Sequence, residues 1–290
     1  MQLLLDTLQH SLTLLTAVIF VLGLMIGSFL NVVIFRLPVM MTRDWRRECR
    51  EFLELEEEPQ AERFNLLVPL SRCPHCQTDI KPYQNIPVFS YLFLQGKCAQ
   101  CGSAISPRYP LIEAFTGICS AIVAWHFGYG AEMLFALLLT WCLIAASFID
   151  IDHQLLPDSI TLPMLWLGLF LSLFSVYTDP QSSIIGAIAG YLSLWTIYQL
   201  FKLLTGKEGM GYGDFKLLAL FGAWLGWQYL PLIVLLSSLV GSVIGIAMVI
   251  LVKKDRNTPI PFGPYLAAAG WLALIWGDEI NRLYLNTIGL

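Results

Sequence analysis

Long apolar runs recur along most of this chain, and they constrain its fold more than any other feature. A membrane-spanning helix needs roughly 20 mostly apolar residues, and such runs extend from Leu12 to Phe35 and almost continuously from Leu111 to Tyr284. Hydrophobic residues make up 57% of the 290 positions and charged residues 13%, which is about half the charged fraction of a typical soluble protein. The sequence predicts an all-α polytopic membrane protein.

Breaks between the apolar runs predict about eight transmembrane helices. Their approximate bounds are 12–35, 111–128, 131–149, 159–177, 183–204, 214–228, 230–252 and 262–283. We interpret the first run as a retained helix, because it lacks a basic leader region and a small-residue cleavage site. The predicted organisation is a first transmembrane helix within 1–35, a polar insertion at 36–110 and a seven-helix membrane domain at 111–290.

The distribution of Lys and Arg predicts the orientation of these helices. If the amino terminus lies outside the cytoplasm, sixteen of the seventeen basic residues fall in cytoplasmic segments and only Arg282 lies outside. Cytoplasmic loops of membrane proteins carry such an excess of basic residues. We therefore expect the insertion 36–110 to be cytoplasmic. Its charged stretch from Asp44 to Glu58 is expected to form a solvated helix capped by Asp44.

Two C-x-x-C pairs in the insertion predict a metal site. Cys73 and Cys76 form the first pair, and Cys98 and Cys101 form the second after an interval of twenty-one residues. Two such turns complete a closed tetrahedral site of four thiolates, which is typical of structural zinc. Disulfides or redox pairs are the alternative, and the reducing cytoplasm disfavours persistent disulfides. The remaining candidates, interpreted as bystanders, are His75, Cys49, Cys119 and Cys142.

Two aspartates at the ends of predicted helices form the candidate catalytic site. Asp150 closes the third predicted span, and Asp214, preceded by Gly211 and Gly213, opens the sixth. Both ends fall on the cytoplasmic side, and acidic residues near a membrane interior usually carry a function. Two carboxyl groups held close together cannot both ionise easily, so one can activate water while the other protonates the leaving amine. The glycines allow close backbone approach.

Other interpretations of the acidic residues remain open at this level. Asp214 could simply cap a helix after a glycine-rich turn, and Asp150, Asp152 and Asp158 could bind a divalent ion through oxygen ligands. Asp158 is more simply expected to cap the fourth span. A phosphate-binding loop fits poorly, because Lys207 precedes the glycines instead of following them.

Several motifs taken together resemble the bacterial type IV prepilin peptidases, which belong to the G-x-G-D membrane aspartyl proteases. The motifs are Gly27–Asn31 with Arg36–Pro38, both cysteine pairs, Ile149–Asp158, Gly209–Lys216 and Pro261–Pro264. By motif position, the resemblance implies that Asp150 and Asp214 are catalytic and that the four cysteines bind Zn²⁺. It implies a multi-pass protein of the bacterial inner membrane with its active site facing the cytoplasm.

The resemblance also implies the reaction and the partners. The expected substrates are prepilins of type IV pili and related pseudopilins of type II secretion, cleaved after a glycine that ends a basic leader. The new amino terminus is then expected to be methylated with S-adenosylmethionine, at a site that no motif locates. The lipid bilayer is the other expected partner, and no nucleic acid is expected. Acidic residues such as Glu54 and Glu56–Glu58 could attract the leader, although a solvated charge run is the simpler interpretation.

Two other function classes compete with a protease. Intramembrane carboxylates are also typical of transporters that bind protons or cations. A membrane assembly scaffold could use the cysteine-rich insertion to dock partners without chemistry. The predicted metal site and the placement of both aspartates on one side of the membrane favour the protease.

Overall fold

The polypeptide folds into helices throughout the part that the computed structural model describes, which comprises residues 7, 9–55, 63–251 and 261–288. Within these residues there is no β-strand, and only two isolated bridges occur, Arg72 to Asp79 and Lys97 to Ala104. The all-α prediction is confirmed. The chain divides into two compact units, Met1–Tyr129 and Gly130–Leu290.

The α-helices are numbered here in chain order. They are α1 (Leu12–Phe52), α2 (Phe89–Phe93), α3 (Arg108–Phe127), α4 (Ala131–His153), α5 (Asp158–Ser172), α6 (Pro180–Thr205), α7 (Tyr212–Leu225), α8 (Leu230–Leu251) and α9 (Gly263–Ile288). Single 3₁₀ turns occur at Pro82–Asn85 and Trp227–Tyr229. Each of the eight predicted spans overlaps one of these helices, and α2 lies outside them.

Five helical stretches among the described residues are long and apolar enough to cross a membrane. They lie in α1, α3, α4, α6 and Trp227–Met248. The apolar helix α5 has 15 residues and α7 has 14, so both are shorter than the roughly 20 residues of a typical span. The number of eight crossings therefore stays a prediction.

Helix α1 continues far beyond the predicted end of its apolar run. It has 41 residues and carries Pro38 inside it. Asp44 consequently lies within the helix and pairs with Arg47 at an O–N distance of 3.1 Å, so the expected cap at Asp44 is wrong. The apolar pattern predicts where the membrane-spanning part of α1 ends, whereas the helical backbone continues because its i to i+4 hydrogen bonds need no lipid.

Small residues bring α1 and α3 close together in the first unit. A Cβ added to Gly23 would lie 2.6 Å from the Ser120 hydroxyl oxygen, and one added to Gly27 would lie 2.7 Å from the Cα of Glu113. Both distances are far below ordinary contact, so the two backbones meet where side chains are absent. This close packing of small residues is typical of helix pairs in membranes.

Helix α7 forms the core of the second unit. Every residue from Leu217 to Leu225 is buried, as expected for a helix that is apolar on all sides. It meets α6 at a glycine crossing, where a Cβ on Gly186 would lie 2.3 Å from the carbonyl oxygen of Gly222. This packing fixes the start of α7, which carries Asp214.

Candidate active site and metal centre

The last turn of α4 positions Asp150. The helix ends at His153, and Gln154 closes it in a left-handed conformation with its N–H donating to the carbonyl oxygen of Asp150 at 2.8 Å. Asp150 is buried, with only 6% of its surface exposed. The N–H of Gly263, the first residue of α9, donates to Asp150 Oδ2 at 3.1 Å. The start of a helix carries partial positive charge, so this contact orients and stabilises the carboxylate.

The first turn of α7 positions Asp214 beside this group. Asp214 is 7% exposed, and the carboxyl group of Asp150 is near enough to interact with it electrostatically. The N-cap position of α7 belongs to Gly211, and no side chain caps the helix. The structure therefore brings the two predicted aspartates together, and Gly211, not Asp214, occupies the N-cap position of α7.

Leu156 explains two of the glycines at the site. A Cβ added to Gly213 would lie 2.7 Å from Leu156 Cβ, and one added to Gly263 would lie 2.6 Å from Asp150 Oδ2 and 3.1 Å from Leu156 Cδ1. Gly211 is different, because a Cβ there would meet only Asp214 Oδ2 at 3.8 Å, an ordinary contact. Gly213 and Gly263 thus let the segment after α4 press against the starts of α7 and α9.

The four predicted cysteines converge in the first unit. Their sulfur atoms, from Cys73, Cys76, Cys98 and Cys101, all lie within 4.8 Å of one another. The Sγ atoms of Cys73 and Cys101 are 3.8 Å apart, which matches the sulfur–sulfur edge of about 3.8 Å expected for tetrahedral zinc with bonds of about 2.3 Å. None of these cysteines is in a disulfide. The set fits a closed structural site for zinc.

The two cysteine turns share one backbone pattern. In the first, the Cys73 N–H donates to Thr78 O and the Gln77 N–H donates to Cys73 O; in the second, the corresponding donors are Cys98 and Gly102. Gln77 and Gly102 occupy the same position, with φ of 57° and 69°. Backbone N–H groups of Cys76 and His75 lower the pKa of Cys73 to about 6, which favours the thiolate that binds metals.

We expect one tightly held zinc ion per chain. Replacing any two of the four cysteines by serine should abolish stoichiometric zinc, because two thiolates cannot close the tetrahedral site. The matched control replaces Cys49, Cys119 and Cys142 by serine, which should leave the zinc content unchanged. Elemental analysis of protein purified without chelator measures both. Protein without metal but with Cys73–Cys76 and Cys98–Cys101 disulfides would contradict this prediction.

Family models and curated relatives both match this chain over most of its length. The bacterial peptidase A24 N-terminal domain matches residues 21–127, and the type IV leader peptidase family matches residues 137–246. A prepilin leader peptidase/N-methyltransferase of Stutzerimonas stutzeri is 59% identical over 266 residues, which cover 92% of each chain. The chain belongs to the type IV leader peptidase family. The resemblance expected from the motifs is confirmed.

Other relatives in the type IV leader peptidase family carry the same name. The protein of Pseudomonas aeruginosa is 58% identical over 268 residues, which cover 92% of each chain. That of Legionella pneumophila is 46% identical over 264 residues, covering 91% of this chain and 92% of the relative. No solved structure matches the chain. The similarity extends over both compact units.

In this family member, Asp158 has a different role from the predicted one. It is the first residue of α5, the N-cap is Pro157, and no side chain caps the helix. Both carboxylate oxygens of Asp158 instead accept hydrogen bonds from Lys216 Nζ at 2.7 Å. The expected cap is wrong because a lysine two residues after Asp214 lies within reach. This ion pair ties the start of α5 to the first turns of α7, close to Asp214.

The alternative of a divalent ion among the aspartates is not supported. Among the described residues, the four cysteines are the group close enough to hold a metal, and Asp150, Asp152 and Asp158 do not form one. Asp152 is exposed beyond the buried pair. His75 is likewise exposed and lies outside the cysteine group.

Gly263 and Leu156 are the site residues that sequence reasoning missed. Gly263 lies within the proline-framed motif Pro261–Pro264, which forms the entry turn of α9. The sequence contained a signal for Gly263, because a glycine within such a motif indicates close approach of the backbone to a neighbouring group. Leu156 gave no such signal, because a leucine between two predicted spans has many ordinary roles.

Proposed function

We propose that this chain is a bifunctional enzyme that cleaves the leader peptide from prepilins and methylates the amino terminus that cleavage exposes. Relatives with this name are 59% and 58% identical over nearly the whole chain. The observation that carries the proposal is the buried pair of Asp150 and Asp214 at the adjoining ends of α4 and α7. A transporter or scaffold is not favoured, because these relatives are named as enzymes.

Asp150 and Asp214 are the proposed catalytic residues. The ionised member takes a proton from water as the water attacks the scissile carbonyl carbon. The protonated member hydrogen-bonds the developing oxyanion and later protonates the departing amine. The Gly263 N–H holds Asp150 in a fixed orientation, so the pair needs little reorganisation during the reaction. Gly211 and Gly213 are proposed to support Asp214, Gly211 as the N-cap of α7 and Gly213 by letting Leu156 approach the first turn closely.

The zinc-bound insertion is proposed to support methyl transfer. The four cysteines would hold zinc as a closed set of four thiolates, and the metal would stabilise the fold of the insertion without offering a position for substrate. S-adenosylmethionine supplies the methyl group when bound. A polar donor of this kind is poorly suited to lipid, so we place its site at the water-facing rim, near the insertion.

The enzyme is proposed to act at the cytoplasmic face of the bacterial inner membrane, on prepilins of type IV pili and pseudopilins of type II secretion. The excess of Lys and Arg in the insertion supports this orientation. The predicted orientation also counts three basic residues near the carboxyl-terminal end of α8, Lys253, Lys254 and Arg256. These three lie outside the described residues. The acidic residues Glu56–Glu58, considered for leader attraction, also lie outside them.

One incubation tests the proposed function. Purified full-length protein in detergent is mixed with a prepilin, with and without S-adenosylmethionine, and the product is measured by mass spectrometry. We expect leader removal in both samples and the mass of one added methyl group only in the sample with the donor. A prepilin that stays intact in both samples would favour the transporter or scaffold.

We expect Gly263→Ala to lower the cleavage rate on the order of a hundredfold, because a misplacement of a catalytic group by about 1 Å costs about that much. The added Cβ would lie 2.6 Å from Asp150 Oδ2, so the carboxyl group must move. Gly130→Ala is the matched control, since a Cβ there meets nothing within 4 Å. Initial rates of prepilin cleavage measure the effect. Equal rates for Gly263→Ala and Gly130→Ala would contradict this prediction.

A further inference from the structure

The short helix α2 in the insertion exposes an apolar face. Phe89, Leu92 and Phe93 are spaced i, i+3 and i+4, so they share one side of the helix. They are 57%, 64% and 85% exposed, whereas Ser90 on another side is 9% exposed. Clustered large apolar side chains of this exposure mark an interaction surface.

A buried carboxylate fixes the depth of this helix. The N–H of Val88, the residue before α2, donates to Glu113 Oε2 at 2.8 Å, and the Ser28 hydroxyl bonds the same carboxylate. Glu113 lies five residues after Arg108 at the start of α3, a helix apolar and long enough to span a membrane. At 1.5 Å per residue, Glu113 is about 7 Å inside α3. Val88 is therefore held at the level of the apolar part of α3.

The backbone at Val88 shows how the chain reaches this level and turns back. Val88 has φ 60° and ψ −50°, a conformation that branched residues seldom adopt. The Phe89 N–H donates to Pro87 O at 2.6 Å, which closes a tight three-residue turn. The chain thus reverses beside Glu113, and α2 starts from that point.

The segment that surrounds α2 in sequence carries only positive charges. Between Asp79 and Glu113 the sequence contains no acidic residue and three basic ones, Lys81, Lys97 and Arg108. Basic residues in the same segment as an apolar face favour a surface of anionic lipid headgroups. Continuity with the apolar stretch of α3 and this charge both point to lipid as the partner of the exposed face.

We propose that α2 is an interfacial anchor that places Phe89, Leu92 and Phe93 in the lipid at the boundary between headgroups and acyl chains. The anchor holds the zinc-bound insertion against the membrane surface. The inference depends on α3 crossing the membrane and is independent of prepilin cleavage and methylation.

Photo-crosslinking to lipid tests the anchor. Benzoylphenylalanine replaces Phe93, Phe52 or Ile118 in the full-length chain, which is reconstituted in vesicles of phosphatidylethanolamine and phosphatidylglycerol and irradiated. Phe52 is the matched control, because it is an 87% exposed phenylalanine of the same insertion at the end of α1, about 24 Å along the helix from Arg36. Ile118, 52% exposed on α3, reports the lipid-facing level.

The result is the amount of lipid adduct measured by mass spectrometry. We expect the position of Phe93 to give an amount of adduct similar to that at Ile118 and about tenfold more than that at Phe52. The reason is that acyl chains are present at the proposed depth of Phe93 and absent at the depth of Phe52. An adduct at Phe93 no greater than at Phe52 would overturn the proposal, as would crosslinking of Phe93 mainly to a second copy of the chain. Zinc content verifies the fold of each variant, and prepilin cleavage in the same vesicles reports the proposed function separately.

Discussion

We expect Asp150→Asn and Asp214→Asn each to lower leader cleavage by about 10²- to 10⁴-fold, the usual contribution of a general acid or base, while the protein still inserts and folds. An amide has nearly the shape of the carboxyl group but can neither accept the proton from water nor donate one to the departing amine. The measurement is the initial rate of cleavage of a purified prepilin, with thermal unfolding and membrane insertion checked for each variant.

Asp152→Asn is the matched control for this pair. Asp152 is only two residues from Asp150 in sequence, but it is exposed beyond the buried pair, so the variant should keep much of the activity. If Asp150→Asn cleaves at nearly the normal rate and Asp152→Asn does not, the assignment within the I-D-x-D motif is wrong.

We expect methylation and proteolysis to be separable by mutation. Asp214→Asn should fail to cut prepilin and still methylate a supplied mature pilin. Methyl transfer from a sulfonium needs a neutral amine aligned with the donor, which is a matter of positioning and does not require the aspartate pair. A variant with serine at all four cysteines of the metal site should lose methylation, because the insertion would lose the zinc that is proposed to organise it.

The measurement is transfer of a labelled methyl group from S-adenosylmethionine to mature pilin. The triple replacement of Cys49, Cys119 and Cys142 by serine is the control, since these thiols do not belong to the metal group. Equal loss of methylation in Asp214→Asn would mean that the two reactions share one site. No transfer by the unaltered protein would remove the second activity.

The sequence predicted the helices and the principal side chains of the site because both depend on local patterns. Apolar runs of about 20 residues identify spans, and the spacings in C-x-x-C and G-x-G-D indicate which side chains converge. The aspartates and the cysteines lie where those patterns placed them. Their catalytic and zinc-binding roles remain proposals that the variants above test.

What the sequence missed depends on contacts between distant segments. Asp158 has the local features of a helix cap, yet it pairs with Lys216, which is 58 residues away. Gly263 reaches Asp150 across 113 residues. The two cysteine turns form a structural repeat that was not evident in the sequence, because Gln77 stands where the second turn has Gly102. A left-handed backbone at a glutamine has no strong local signal.

The unequal lengths of α6 and α7 determine how a substrate can reach the aspartates. Tyr212, at the start of α7, packs against Tyr198 with ring centroids 5.5 Å apart, and α6 continues seven residues further to Thr205. The turn that carries Asp214 therefore lies about 10 Å behind the end of the neighbouring helix α6. A peptide bond inside an intact substrate helix has its backbone groups shielded and cannot reach such a recess. We therefore expect the substrate of the proposed cleavage to unwind locally at the cleavage point and to enter as an extended strand, together with the attacking water.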